Sequence, residues 1–398
     1  MLPVSDLVEV ARRDASAAEV GARAPQRFSR SAPAAPVIVW NVCRHCDMSC
    51  PHCYAAAAYR PSREDLDTAE AVALLDDMAA CGVRVVIFSG GEPMLRPDLL
   101  ELMTHAAEIG IAPQLSSNGV HVDEAAAQKL ATAGVAYVGI SIDGLREFND
   151  AYRGMDGGFD AALRGLHCAK AAGMRTGLRM TLTSRNADQL QPLLEIACAA
   201  GVDRFYISHL LYSGRGLRMM DEDLSRAQTR ALLEGLFETA DALLEQRSAT
   251  RIVTGANDSD GPLLLRWIER RYGREAATPV QELLHGRGGN SAGEKILNID
   301  HRGKVHPDQF WRGETLGDVR RDSFESILKH PLRELLRNRA EYLTGRCGAC
   351  AYRSLCRGSH RERAIACTGE LWSPDPACVL GDSEIGLRRA TRTLGGAV

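Results

Sequence analysis

Residues 36–54 read PVIVWNVCRHCDMSCPHCY, a β-branched run that passes directly into four cysteines. Val37, Ile38 and Val39 suit a buried strand, because branching at Cβ fits a pleated backbone. Cys43, Cys46, Cys50 and Cys53 follow in the pattern C-x2-C-x3-C-x2-C. A structural zinc ion wants four ligands in a tetrahedron, and two C-x2-C knuckles ordinarily come from well-separated loops. Here only Asp47, Met48 and Ser49 lie between them, so closing all four sulfurs on one ion is strained. A 4Fe–4S cluster spreads its irons over a cube and suits closely spaced cysteines on one loop. If Cys46, Cys50 and Cys53 bind, three irons have protein ligands and the fourth is open to a substrate.

Downstream, short β-branched runs alternate with Ala/Leu-rich helical segments, the pattern of repeated βα units. The strand candidates are PVIVWNV, VRVVIFS, APQLSSN, VAYVGISID, TGLRMTLT and DRFYISHL. Helix candidates lie between them, one opening on the cap Asp67-Thr68. Six such units predict an α/β fold, a partial (β/α)6 barrel with its function at the C-terminal strand ends. SGGEP, SSNG, SIDG and SGRG follow the second, third, fourth and sixth strands, placing special residues on one rim.

The 398 residues suffice for such a barrel with an appendage, and 45% apolar and 25% charged residues are ordinary for a globular chain. A net charge of −3 gives no reason to expect nucleic acid or a membrane surface, and no apolar run reaches a membrane span. The expected location is cytoplasmic, where twelve cysteines point to metal or redox chemistry before disulfides. Cys81, Cys168 and Cys198 sit in Ala-rich helical contexts and read as small buried hydrophobes. Cys347, Cys350, Cys356 and Cys378 form a second set, able to ligate another 4Fe–4S cluster fully, with zinc as the alternative. Cys367 reads as packing.

The expected organisation is a mobile or loosely docked arm over 1–35, the barrel over 36–245, a flexible-looking connection over 246–295, an auxiliary domain over 296–387 and a frayed tail over 388–398. ILNIDHRGKVHPDQF reads as a β-hairpin turning at Arg302-Gly303.

The loop from Cys46 to Tyr54 after a first strand, with Gly90-Gly91-Glu92-Pro93 after the second, resembles the signature of radical S-adenosylmethionine enzymes. The resemblance implies that the Cys46, Cys50 and Cys53 cluster passes one electron to S-adenosylmethionine, giving methionine and a 5′-deoxyadenosyl radical. It implies a reduced donor such as a flavodoxin or ferredoxin. Gly90, Gly91 and Glu92 would meet the cofactor's methionine end and Tyr54 its adenine. Ser117, Asn118, Ser141 and Asp143 would face its ribose and carboxylate. Arg153 would pair that carboxylate, with Arg179 as a weaker candidate. Cys43 becomes a bystander, and His45 and His52 exposed loop residues. The C-terminal cysteines resemble the SPASM/twitch iron–sulfur extension, with Asp308 where the larger form has a cysteine, so one auxiliary cluster is expected.

The stretches IVTGANDSDGPLLLRW, NIDHRGKVHPDQFWR and TGELWSPDPAC look like the branch that modifies sirohaem-derived tetrapyrroles. That implies removal of propionate side chains of 12,18-didecarboxysirohaem on the way to the oxo groups of haem d1. The alternatives are decarboxylation of the same compound in the alternative haem pathway, a peptide-modifying SPASM enzyme, and a zinc-binding scaffold without catalysis. Arg361 and Arg363 are candidates to pair the acidic side chains of a tetrapyrrole. His306 and His360 are weaker candidates to approach its iron.

Overall fold

The computed structural model describes residues 1–13 and 35–387. The six expected strands form and pair in parallel: β1 (Val37–Asn41), β2 (Val85–Ser89), β3 (Ala112–Ser117), β4 (Tyr137–Ser141), β5 (Arg175–Leu182) and β6 (Arg204–His209). A helix returns the chain between each pair, as a parallel crossover requires. Along β1, Ile38 and Trp40 are fully buried toward the helices, while Asn41 faces the interior of the curved sheet. The helix Thr68–Ala80 opens with the expected cap. The Asp67 carboxylate accepts from Glu70 N–H at 2.9 Å, and Glu70 answers on the Asp67 amide.

The sheet continues past the sixth unit. The stretch read as a flexible connection holds β7 (Arg251–Gly255), paired in parallel with β6, and the helices Asp260–Tyr272 and Arg274–Arg287. The polar residues that suggested flexibility are buried and bonded: Thr254 Oγ1 donates to Asp260 at 2.6 Å, and Asn290 Nδ2 to Asp258 at 3.0 Å. β8 (Ile296–Ile299) then pairs in parallel with β1 on the opposite side of the sheet. It turns at Arg302-Gly303, as expected, into antiparallel β9 (Lys304–His306), followed by β10 (Gly317–Asp318). The order is therefore β10-β9-β8-β1-β2-β3-β4-β5-β6-β7, one sheet shared by barrel and C-terminal region.

The N-terminal arm is also corrected in its described part. The helix Val4–Arg12 buries Val4, Leu7, Val8 and Ala11 in the main core. Leu2 bridges the edge of β7 through paired amide–carbonyl bonds to Thr254 of 2.6 and 2.9 Å, which leaves that part of the edge closed. The Ala/Pro-rich remainder of the arm and the tail over 388–398 lie outside the described residues. No helix among the described residues is long and apolar enough to cross a membrane.

Leu7 has no exposed surface, so Leu7→Ala is expected to cost about 3 kcal/mol through lost transfer energy and a cavity. Urea unfolding measures this; an undiminished midpoint would mean that the helix does not dock.

Candidate active site

The cluster loop leaves the C-terminal end of β1 and is fixed from three directions. From β2, the amide N–H of Gly91 donates to Cys43 O at 2.9 Å and that of Glu92 to His45 O at 2.7 Å. A Cβ on Gly90 would stand 2.5 Å from Cys43 O, and one on Gly91 2.1 Å from His45 O. Both glycines are therefore dictated by the approach of protein backbone, and Gly90 also holds φ +140°, open mainly to glycine. From the end of β6, Arg215 donates through Nε to Cys50 O at 2.8 Å and through Nη1 to Ala57 O at 2.7 Å. Gly214 beside it leaves no space for a Cβ against Tyr54 O, at 2.3 Å. Below the loop, Arg96 Nη1 donates to Val42 O at 2.7 Å while Asp98 holds its Nε.

Glu92 is fully buried. Its carboxylate accepts from Ser117 Oγ at 2.8 Å, Asn118 N–H at 2.7 Å and Met94 N–H at 3.0 Å. Burial raises its pKa against the lowering effect of these donors. Ser117 and Asn118 are thus its partners, and Asn118 Nδ2 also reaches Asp47 in the cluster loop at 2.7 Å.

Asp143 and Arg153 meet each other. Arg153 Nη1 donates to Asp143 Oδ2 at 2.8 Å, and its Nε lies 3.3 Å from Met48 Sδ. Thr181 N–H holds the other Asp143 oxygen at 2.9 Å. His52, expected on the surface, stacks on Tyr152 at 5.2 Å and stands 3.4 Å from Asp143. Burial lowers its pKa. Ser141 is half-buried at the end of β4. Arg179, the weaker carboxylate candidate, lies on β5, donates to Ser116 Oγ and occupies the space left by Gly139. Tyr54 bonds Ser89 Oγ at 3.2 Å.

Cys46 and Cys50 share a small apolar cluster with Met48 and Ala57, and Cys53 packs at its edge. Cys43 instead belongs to the main core, with its Sγ 3.4 Å from Glu92 O. Burial raises the Cys46 thiol and pushes Cys50 up to about 11. Thiols so placed hold their protons near neutrality, and burial pushes Cys43 up to about 12 in the same way, so a bound cation would have to displace these protons. Among the described residues no group of three or more His, Cys, Asp or Glu is placed to hold a single metal ion.

The second cysteine set converges. Cys347, Cys350, Cys356 and Cys378 line one cavity with Arg346, Ser359 and Asp375. Burial raises Cys356 well above an ordinary thiol and raises Cys347 and Cys350 as well. Arg346 Nη1 lies 3.1 Å from Cys378 Sγ, a cation beside a candidate ligand. Reading LTGRCGAC for its cysteines alone passes over this arginine, though its place next to Cys347 was a signal. Arg215 was missed for a different reason: SGRG stood out for its glycines. Cys367 is a correction, being exposed on the helix Arg361–Thr368, while Cys81, Cys168 and Cys198, expected to be buried, are half-buried and pack against the main core.

Arg361 and Arg363 are a second correction. They are 1% and 0% exposed. Arg361 donates to the carbonyls of Leu371, Ser373 and Gly358. Arg363 pairs with Asp375 at 2.9 Å and donates to Leu210 O and Ala256 O. Both guanidiniums bind the domain together and neither is presented to a substrate. Asp308 accepts from the N–H groups of Phe310 and Trp311 and stands 3.6 Å from His360. His306 Nδ1 is bonded to Glu314 O at 2.6 Å.

A cysteine loop at the end of β1, clasped by a Gly-Gly-Glu turn from β2, is the arrangement of an iron–sulfur α/β enzyme. The Radical SAM superfamily pattern matches residues 40–209. Pre-heme d1 synthase of Dinoroseobacter shibae is 40% identical over 365 residues, 91% of this chain and 90% of that protein. Fe-coproporphyrin III synthase of Methanosarcina barkeri is likewise 40% identical, over 89% of this chain and 90% of its own length. Among solved structures, Streptococcus suis SuiB bound to its precursor peptide SuiA has the same fold. Its TM-score is 0.68 at 17% identity, covering 91% of this chain and 79% of that one. The chain belongs to the radical SAM superfamily and is a radical S-adenosylmethionine enzyme. Membership brings a 4Fe–4S cluster and S-adenosylmethionine, and the free thiols of buried Cys46 and Cys50 and half-buried Cys53 suit the cluster.

Gly91→Ala is expected to cost about 3 kcal/mol by forcing the two loops apart, and to lower iron bound per chain. Wild-type iron content and unfolding midpoint in this variant would remove the clamp. Burial, with the Asp308 charge, pushes the Glu362 carboxyl up to about 7 from 4.5. The folded state then holds this proton more tightly than the unfolded chain, so stability falls as pH rises through that window. Glu362→Gln is expected to flatten that fall, read as the unfolding midpoint against pH.

Proposed function

We propose that this enzyme removes propionate side chains of 12,18-didecarboxysirohaem on the way to the oxo groups of haem d1. The observation that carries the reading is the 40% identity to pre-heme d1 synthase along 91% of the chain. Cys46, Cys50 and Cys53 would hold the cluster, which with S-adenosylmethionine would supply the radical chemistry for abstraction of a side-chain hydrogen atom.

In this reading Cys46, Cys50 and Cys53 hold the radical-generating cluster and leave one iron open. Gly90, Gly91, Glu92, Ser117, Asn118, Ser141 and Tyr54 shape the rim for the cofactor. Asp143 orients Arg153, whose remaining amino group is the part left to meet the cofactor's carboxylate. Cys347, Cys350, Cys356 and Cys378 hold an auxiliary 4Fe–4S cluster, a reading supported by their shared cavity. The electron comes from a reduced donor of the flavodoxin or ferredoxin type. A second reading, removal of acetate carboxyls from the same tetrapyrrole, is favoured by the equal identity to Fe-coproporphyrin III synthase.

Iron analysis tests the two-cluster assignment. Cys50→Ala and Cys356→Ala are each expected to retain ~4 irons where the wild type holds ~8; loss of all iron from Cys50→Ala would remove the second cluster. Anaerobic incubation of reduced enzyme with S-adenosylmethionine and didecarboxysirohaem is expected to give 5′-deoxyadenosine and a tetrapyrrole lighter by propionate-derived mass. Loss of two carboxyls instead would select the second reading. Cofactor cleavage with an unchanged tetrapyrrole would discard both substrates.

A further inference from the structure

With Arg361 and Arg363 turned inward, the recognition of an acidic substrate falls to another part of the rim. After β9, residues 307–313 cross from the C-terminal region over the cluster loop. Asp308 turns the chain, and Phe310 is then held on three sides. Its ring meets Tyr54 edge-on at 5.2 Å and His360 at 5.9 Å, and its carbonyl accepts from Ser213 Oγ at 2.5 Å. This one segment thus touches the cluster loop, the end of β6 and the start of the helix Arg361–Thr368. A substrate lying between the two cysteine sites would pass alongside it.

Arg312 stands at the end of this crossing. Its Nη2 lies 3.5 Å from Oδ2 of Asp300, a fully buried carboxylate pinned by the N–H groups of Arg302 at 2.9 Å and Lys304 at 3.0 Å. Its Nη1 is buried and has no hydrogen-bond partner among the described residues. The Nε2 of His301 and Oε1 of Gln309, from the same stretch, are buried without a partner as well. His306 Nε2 stands 3.5 Å from Asp300, short of a hydrogen bond. Buried polar groups are normally bonded to protein, water or ligand, so these unanswered atoms on residues 301–312 call for a partner. The guanidiniums of Arg302 and Arg312 both stand within ion-pair distance of the single Asp300 carboxylate.

We infer that Arg312, oriented by Asp300, binds a carboxylate side chain of the substrate at the junction of barrel and C-terminal region. The inference rests on the tetrapyrrole reading above and supplies the group that recognises the acid. Asp300 stands within ion-pair distance of one amino group of the fork and draws it to one side, while Nη1 is left without a protein partner for the charge-assisted contact.

Optical titration of the cluster-loaded full chain tests it, with 12,18-didecarboxysirohaem as free acid and as its carboxyl methyl ester. Wild type is expected to bind the free acid more tightly than the ester. R312Q is expected to weaken binding of the free acid about 10- to 100-fold while binding of the ester is little altered. R312K, which keeps the charge without the fork, is expected to fall between. Iron content and the unfolding midpoint report whether R312Q folds. Equal free-acid binding by R312Q and wild type overturns the inference and leaves the tetrapyrrole reading standing. So does equal binding of acid and ester by wild type, a result that needs no variant to fold. Failure of wild type to bind either form overturns the tetrapyrrole reading and the inference with it.

Discussion

Two amide-to-carbonyl bonds, from Gly91 to Cys43 and from Glu92 to His45, carry the pairing of β1 and β2 beyond the sheet into the loops that follow. The rest of the site depends on this clamp. It brings the cysteine loop down on the Gly-Gly-Glu turn so closely that neither glycine has room for a side chain. Glu92 then transmits the position onward, because its buried carboxylate is the common acceptor for Ser117 and Asn118 at the end of β3. Asn118 closes the circuit on Asp47. Cysteine loop, turn and third strand end are thus one hydrogen-bonded body, and the geometry of the cluster ligands follows from backbone bonds to their neighbours.

The C-terminal region joins this body by continuity of structure. β8 extends the barrel sheet from the side of β1, so the hairpin and the cluster loop spring from adjacent strands. Parallel strands send their C-terminal ends to one rim, which is why Asp300 at the end of β8 stands near the loop at the end of β1. Phe310 then spans from Tyr54 to His360 and couples the two cysteine sites through packed rings. On the far side Leu2 bridges the edge of β7 at Thr254 and the first helix packs beside it, which closes part of that edge.

Buried arginines do much of the fastening. Arg361, Arg363 and Arg339 have almost no exposed surface and direct their guanidiniums at main-chain carbonyls or an aspartate. A guanidinium has five donors in a fixed plane, so it can satisfy several carbonyls where loops without regular structure converge. Burial lowers Arg339 to about 9, yet it remains protonated at neutral pH. Arg361 and Arg363 each leave only a buried Nε without a partner, whereas in Arg312 the buried nitrogen without a partner is an outer amino group, Nη1.

The six βα units, the cap at Asp67, the hairpin at Arg302-Gly303 and the two cysteine groups were legible in the sequence, because each is a local pattern. Periodicity, cap chemistry and close cysteine spacing act over a few residues and leave their mark in order along the chain. The seventh strand and the pairing of the hairpin's first arm with β1 were not legible, since Thr254, Asn257, Asp260 and Asn298 look like loop residues until their distant partners are known. The sequence by itself determined that a cysteine loop follows a first buried strand and that glycine-rich turns follow later ones. Only the tertiary structure decided which polar groups answer one another: that Glu92 serves Ser117 and Asn118, that Asp143 holds Arg153, and that Arg361 and Arg363 face inward. The physical reason is that hydrogen bonding and burial are settled between residues far apart in the chain, where the side chain alone carries no record of its partner.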